Sequence, residues 1–359
     1  MRVLVRADAS VHIGSGHLMR CLTLADQLRA EGAEVAFVCR DLPGAMFDLL
    51  QDRGYRSAKL SLAEEGNGSQ HCDAQETIRA AGQLFPEGIE WLVVDHYQLD
   101  AAWERMLRPH TCKLMVIDDL ANRQHDCDLL LDQNYYRDLD QRYQGLVPEQ
   151  CLTLLGPAYV LLRPEFADAR QRLRVRNGTV RRILIFFGGS DSTNQTRKAL
   201  DAIKIVSRPE ITVDVVVGAS NPHRDEIQSL SHEMSNVQYY CQVSNMAELI
   251  EAADIAIGAG GATIWERCSL GLPTLTVVFA DNQLQTTLDL ERIGATMFLG
   301  WANKITASDL ACAIENLIGN SSLLSNLSKR ACFVLREWQG TGAITAAMRN
   351  IFTNHKRVC

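Results

Sequence analysis

The stretch "VRADASVHIGSGHLMRCLTLADQL" (5–28) ends a strand, crosses a glycine-bracketed loop and enters an amphipathic helix. That order is the opening of a parallel β-α-β unit. Gly14 and Gly16 carry no side chain, so a ligand can approach their backbone closely. The helix beginning at residue 17 adds a partial positive charge of about half an electron and unsatisfied N–H groups. "GSGHLM" (14–19) starts like a dinucleotide fingerprint, but Met19 stands where the third glycine belongs. No G-x-x-x-x-G-K-[ST] occurs, so neither dinucleotide nor P-loop binding is expected. His17 follows the last glycine, and two readings are open. Its imidazole faces a ligand, or it caps a tight β–α turn.

Outward from this stretch, β-rich runs fall at 2–7, 34–39, 91–95, 112–117 and 128–131, with helical patterns at 17–31, 43–53, 73–84 and 99–108. Strands alternating with helices imply a parallel sheet with right-handed crossovers. The arginine-rich segment 163–182 then interrupts the pattern, which restarts at "RRILIFFGGSDSTNQTRKAL" (181–200). Strands follow at 212–217, 237–240, 254–258 and 274–279, and helices at 262–270, 283–293, 306–319 and 321–336. The expected architecture is α/β, with two doubly wound Rossmann-like domains, 1–175 and 176–359, facing each other across a cleft. The final amphipathic segment, 341–352, is expected to pack back on the first domain. Ligands of such sheets sit at the carboxyl ends of the strands.

Composition narrows the function. The chain of 359 residues is 47% hydrophobic and 22% charged, with a formal charge of −7. Its pI near 5.7 argues against nucleic acid or an anionic membrane as partner. No apolar run approaches the roughly 18 residues that span a bilayer, and a strand begins directly after Met1. The eleven cysteines are scattered without a C-x-x-C pair, as in a reduced compartment. A cytoplasmic monomer is expected. His12, His17, His96 and nearby aspartates show no recognised ligand spacing, so neither metal nor cofactor is expected.

Two loops of the second half point to a diphosphate. "GGSDSTN" (188–194) and "GAGGATIWE" (258–266) each place glycines and small residues where a helix follows a buried strand. Such a pair suits anionic oxygens. The candidates are Gly189, Ser190 and Asn194 in the first loop and Gly260, Gly261 and Ala262 in the second. Glu266, one turn into its helix, can accept both hydroxyls of a ribose, or merely complements the helix start. Asp281, Asn282 and Gln283 follow the next strand, where they can bind a sugar.

These motifs resemble a known family. The two halves look like the GT-B architecture of nucleotide-sugar glycosyltransferases. More closely, the chain resembles the UDP-2,4-diacetamido-2,4,6-trideoxy-β-L-altropyranose hydrolases of pseudaminic acid synthesis. The likeness lies in "RADAS…IGSGHLMRCLTLA" (6–25), "VVDHYQLD" (93–100), "IDDLANRQHDCDLLLDQN" (117–134) and "YQGLVPEQCLTLLGPAYVLLRPEF" (143–166). It continues through "GGSD" (188–191), "GGATIWE" (260–266) and "DNQ" (281–283) and fades beyond about 300. The resemblance implies that His17 is a general base and Tyr97 an active-site tyrosine beside it. A neutral imidazole suits deprotonation of a water attacking C1 as UDP leaves. Arg20, Asp95, His96 and Asp119 are expected on the sugar side, and Val243 and Met246 near the nucleobase.

The substrate expected is therefore a UDP-sugar, cleaved with inversion and without metal. Two alternatives stand beside it. A true transferase calls for an acceptor or membrane patch, which the first half does not display. A non-catalytic nucleotide-sugar binder leaves His17 and Tyr97 without a task.

Overall fold

The computed structural model describes residues 1–61, 70–176 and 178–356, with side chains through 353. The chain forms two compact units, 1–161 with 338–359, and 162–337. The division thus falls at Leu161/Leu162, not near 175. The helix Pro164–Arg170 lies with the second unit, where Arg170 Nη1 donates to the Ser269 carbonyl at 2.7 Å.

The first unit is a seven-stranded parallel sheet built from β1 (Arg2–Ala7), β2 (Glu34–Arg40), β3 (Arg56–Leu60), β4 (Ile89–Asp95), β5 (Thr111–Ile117), β6 (Leu129–Asp132) and β7 (Leu152–Leu155). The strands lie in the order β3-β2-β1-β4-β5-β6-β7. Its helices are α1 (Gly16–Ala30), α2 (Phe47–Asp52), α3 (Gln70–Leu84) and α4 (Ala101–Leu107). Alternate strand residues feed two cores, as the period of two demands. Val3, Val5, Trp91 and Val93 pack under α1, whereas Leu4, Leu92 and Val94 pack under α3 and α4.

The second unit holds β8 (Arg182–Phe186), β9 (Thr212–Val217), β10 (Val237–Cys241), β11 (Ile255–Ala259), β12 (Thr274–Val278) and β13 (Met297–Trp301). All pairs are parallel, in the order β10-β9-β8-β11-β12-β13. Its helices are α5 (Pro164–Arg170), α6 (Gln195–Val206), α7 (Arg224–His232), α8 (Met246–Ala252), α9 (Thr263–Ser269), α10 (Asp281–Arg292), α11 (Ala307–Ile318) and α12 (Ser321–Val334). The last helix, α13 (Thr341–Lys356), returns to the first unit and covers α1 with Ile344 and Met348. This explains why α1 is buried on two faces. No helix among the described residues is long and apolar enough to cross a membrane.

In each sheet the strand order reverses once, between β1 and β4 and between β8 and β11. Loops at that reversal splay apart and leave room for ligands. They carry Gly14–His17 and Asp95–Tyr97 in one unit, and 187–194 with 260–262 in the other.

Candidate active site

In the first unit the loop after β1 is folded on itself. Ser10 Oγ accepts from the N–H groups of His12 (3.2 Å) and Ile13 (2.9 Å), and Gly14 N–H returns to the Ser10 carbonyl (2.8 Å). Gly14 sits at φ +80°, a conformation only glycine adopts without strain. The helix then starts at Gly16, with Ser15 at the cap position and no side-chain capping bond. His17 is therefore no cap. Its Nδ1 lies 2.5 Å from Asp95 Oδ1 at the end of β4.

Asp95 is fully buried and also receives Arg20 Nε on Oδ2 (2.5 Å) and Arg20 Nη2 on Oδ1 (2.7 Å). Burial works to raise the Asp95 carboxyl, but Arg20 and His17 override it and hold it well below the usual carboxylate range. An ionised carboxylate only accepts, so Nδ1 carries the imidazole proton and Nε2 keeps its lone pair. Among the described residues, no hydrogen bond is made to Nε2.

Arg20 Nη1 reaches on to Asp119 Oδ2 (3.1 Å), which also lies 3.4 Å from the Tyr97 hydroxyl. The Tyr97 ring meets the His17 ring edge-on, centroids 4.4 Å apart. Five side chains thus close a circuit: His17, Asp95, Arg20, Asp119 and Tyr97. Burial, then the Asp119 charge, pushes the Tyr97 phenol far above its ordinary value, so it remains a donor. Asp119 Oδ1 is buried without a partner.

Arg20, Asp95 and His96, expected as substrate contacts, spend their polar atoms inside the chain. His96 Nε2 pairs with Asp8 Oδ2 (3.2 Å), and its Nδ1 accepts the Gln98 N–H (3.1 Å). Burial pulls this imidazole below its ordinary value although Asp8 opposes the shift, which keeps His96 neutral. Asp8 is held in turn by Arg6 and by the Arg40 N–H. These residues fix the loops; they do not present themselves to solvent.

The second unit corrects two expectations. The N-terminus of α6 is not an open anion site. Asp191 accepts from Gln195 N (2.9 Å), Thr196 N (2.8 Å) and Thr196 Oγ1 (2.6 Å), and Asn194 Oδ1 accepts from Arg197 N (3.2 Å). Asn194 Nδ2 donates to Glu226, so Asn194 is a cap with both polar atoms engaged. Gly189 and Ser190 remain as the candidates of that loop. Gly260 N–H also is spent, on the Val277 carbonyl at 3.0 Å. A Cβ there would stand 2.5 Å from Thr287 Oγ1, so this glycine serves the packing of α10. The expected donors narrow to Gly261 and Ala262.

Glu266 lies on α9, its Oε1 3.1 Å from Arg163 Nη2. Asp281, Asn282 and Gln283 form the first turn of α10, which starts two residues before the expected 283, and Gln283 Oε1 accepts the Phe279 N–H (3.1 Å). Met246 opens α8 and is buried; Val243 is half-buried in the bend before it. Sequence reasoning missed Asp191, Arg163 and Arg267. The last is buried under the 259–263 loop and donates to the Ala259 carbonyl (2.6 Å) and Thr263 Oγ1 (3.0 Å). A charge inside the apolar run "TIWERCSLGL" (263–272) was the available signal. No group of three potential metal ligands occurs among the described residues.

The glycosyltransferase family 28 C-terminal domain matches residues 183–336. Over 298 residues the chain is 28% identical to the UDP-2,4-diacetamido-2,4,6-trideoxy-β-L-altropyranose hydrolase of Campylobacter jejuni, covering 82% of this chain and 97% of that one. It is 26% identical over 292 residues to the uncharacterized protein MJ1062 of Methanocaldococcus jannaschii, covering 79% of this chain and 57% of the relative. The chain thus spans little more than half the length of that second protein. Among solved structures, MurG of Acinetobacter baumannii superposes with a TM-score of 0.64 at 16% identity, covering 97% and 99% of the two chains. The fold is that of GT-B glycosyltransferases.

Proposed function

We propose that the chain hydrolyses a UDP-linked 2,4-diacetamido-2,4,6-trideoxy sugar, of the β-L-altropyranose type, at its anomeric C–O bond. The observation that carries this reading is the His17–Asp95 pair. Asp95 fixes the tautomer, so Nε2 is the atom that takes a proton from water. The imidazolium so formed is stabilised by the same carboxylate, as in Ser-His-Asp triads. Water activated in this way attacks C1 from the face opposite UDP, and the sugar leaves with inverted configuration. Tyr97, whose hydroxyl donates to Asp119, sets its ring against the base.

The assignment of UDP to the second unit is supported by its glycosyltransferase-type domain. Gly189, Ser190, Gly261 and Ala262 are assigned to the diphosphate, Glu266 to the ribose, and Val243 with Met246 to the base. Asp281, Asn282 and Gln283 are assigned to the sugar. No metal enters this scheme, because the leaving charge falls on N–H donors.

The same domain match favours a second reading, in which the sugar passes to an acceptor hydroxyl. Incubation with a panel of UDP-sugars and no acceptor separates the two. The hydrolase releases UDP and free sugar in equal amounts; a transferase leaves the UDP-sugar intact, which would contradict the proposal.

A further inference from the structure

Ten of the eleven cysteines are described, and all ten are reduced. Cys127 stands just before β6 and Cys151 just before β7. The two strands pair with Leu129 opposite Leu152, and Leu152 N–H donates to the Asp128 carbonyl at 3.0 Å. Extending that register sets Asp128 opposite Cys151, so the cysteines are offset by one residue across neighbouring strands. Both cysteines lie just outside the paired strand residues, so the alternation of faces along a strand does not hold their side chains apart. Their sulfurs are already 3.5 Å apart.

Exposure orders the two thiols. Cys151 is half-buried and Cys127 buried, so a reagent from solvent meets Cys151 first. Contact with Cys151, then burial, holds the Cys127 thiol far above its ordinary value, consistent with a second, slower step. Among the described residues no third metal ligand joins them, so the pair has the composition of a dithiol and not of a metal site.

We infer that Cys127 and Cys151 form an oxidisable dithiol whose co-reactant is a small disulfide of the glutathione class. The Cys151 thiolate attacks one sulfur of the small disulfide and expels one thiolate, leaving a mixed disulfide. The Cys127 thiol, losing its proton, attacks Cys151 Sγ and expels the second thiolate. One small disulfide is reduced to two thiols, and one protein disulfide forms. The bond closes the segment 128–150 at its base. That segment supplies Tyr136 and Arg142, which donate to the Asp119 carbonyl (3.0 and 2.7 Å), and Tyr143, which holds Asp118 and Asp132. Oxidation thereby staples the wall on which Asp119 is carried.

The test is thiol mapping of the full-length chain equilibrated with oxidised glutathione, quenched by alkylation and digested with trypsin. The two cysteines fall on separate peptides, 124–137 and 143–170. A cross-linked pair of these peptides is expected, abolished by dithiothreitol and absent in Cys151→Ser, where Cys127 stays alkylatable. The oxidised chain should melt about 5–10 °C higher than the reduced one. The inference is overturned if Cys151 stops at the mixed disulfide while Cys127 remains a thiol. It is equally overturned if both stay reduced while exposed Cys72 and Cys112 react, or if Cys151 pairs elsewhere.

Discussion

His17 Nδ1 and Asp95 Oδ1 lie 2.5 Å apart although 78 residues separate them in sequence. The parallel pairing of β1 with β4 makes this contact possible, because Ala7 stands opposite Asp95. Asp95 ends β4, and His17 stands in the first turn of α1, after the loop 8–15 that Ser10 and Gly14 hold closed. The imidazole is thus oriented by a strand end and a helix start.

Replacing Asp95 by Asn tests that orientation. An amide can present N–H to Nδ1 and favour the wrong tautomer, as in Ser-His-Asp triads, where the loss is about 10⁴-fold. UDP release by Asp95→Asn should fall by at least about 10²-fold, with little change in UDP affinity. Arg20 loses its two charged contacts to residue 95 and keeps only Asp119, so the melting temperature should fall as well. A variant of normal turnover would show that the pair is only structural.

Glu266 tests the nucleotide assignment. Glu266→Ala should weaken binding of UDP itself by about 1.5–3 kcal/mol, the worth of a charge-assisted hydrogen bond. Calorimetry with UDP measures this directly, and unchanged affinity would leave Glu266 as the partner of Arg163 alone.

Much of the fold that carries this candidate site is legible in the sequence. The glycine turns, the strand end at Asp95, the loop after β5 that carries Asp119 and the helix after Gly16 all follow from short-range pattern. Three strands were missed: β3, β7 and β13, each at the edge of its sheet. Edge strands are half-solvated, so β3 ("RSAKL") carries Arg and Lys and lacks the apolar run that marks a central strand. The closed N-terminus of α6 was hidden for a different reason. Asp191 and Asn194 sit at φ +37° and +53°, and sequence does not disclose which of several polar loop residues turns back to cap. Likewise, Arg20 and Asp95 looked like ligand contacts because charge pairing across a sheet is non-local.

Asp132 predicts a pH-dependent stability. Burial, then the Asp119 charge, raises its carboxyl to about 7, against the opposing Asn134 N–H and Arg142. The folded chain therefore keeps a proton that the unfolded chain releases near 3.8. That stabilisation is complete below about pH 4 and is lost as pH rises through about 7. Between pH 5 and 8, the melting temperature of Asp132→Asn should decline less steeply than that of the natural chain. Parallel slopes would mean Asp132 is ionised throughout.

The most direct measurement compares His17→Phe with the natural chain in an acceptor-free UDP-release assay, alongside calorimetry with UDP. Phenylalanine keeps an aromatic body against Tyr97 but removes both nitrogens. The account predicts a loss of at least about 10²–10⁴-fold in turnover with UDP binding retained. In the natural chain, the released sugar should be inverted at C1. Near-normal turnover in His17→Phe, or a sugar of retained configuration, would contradict it.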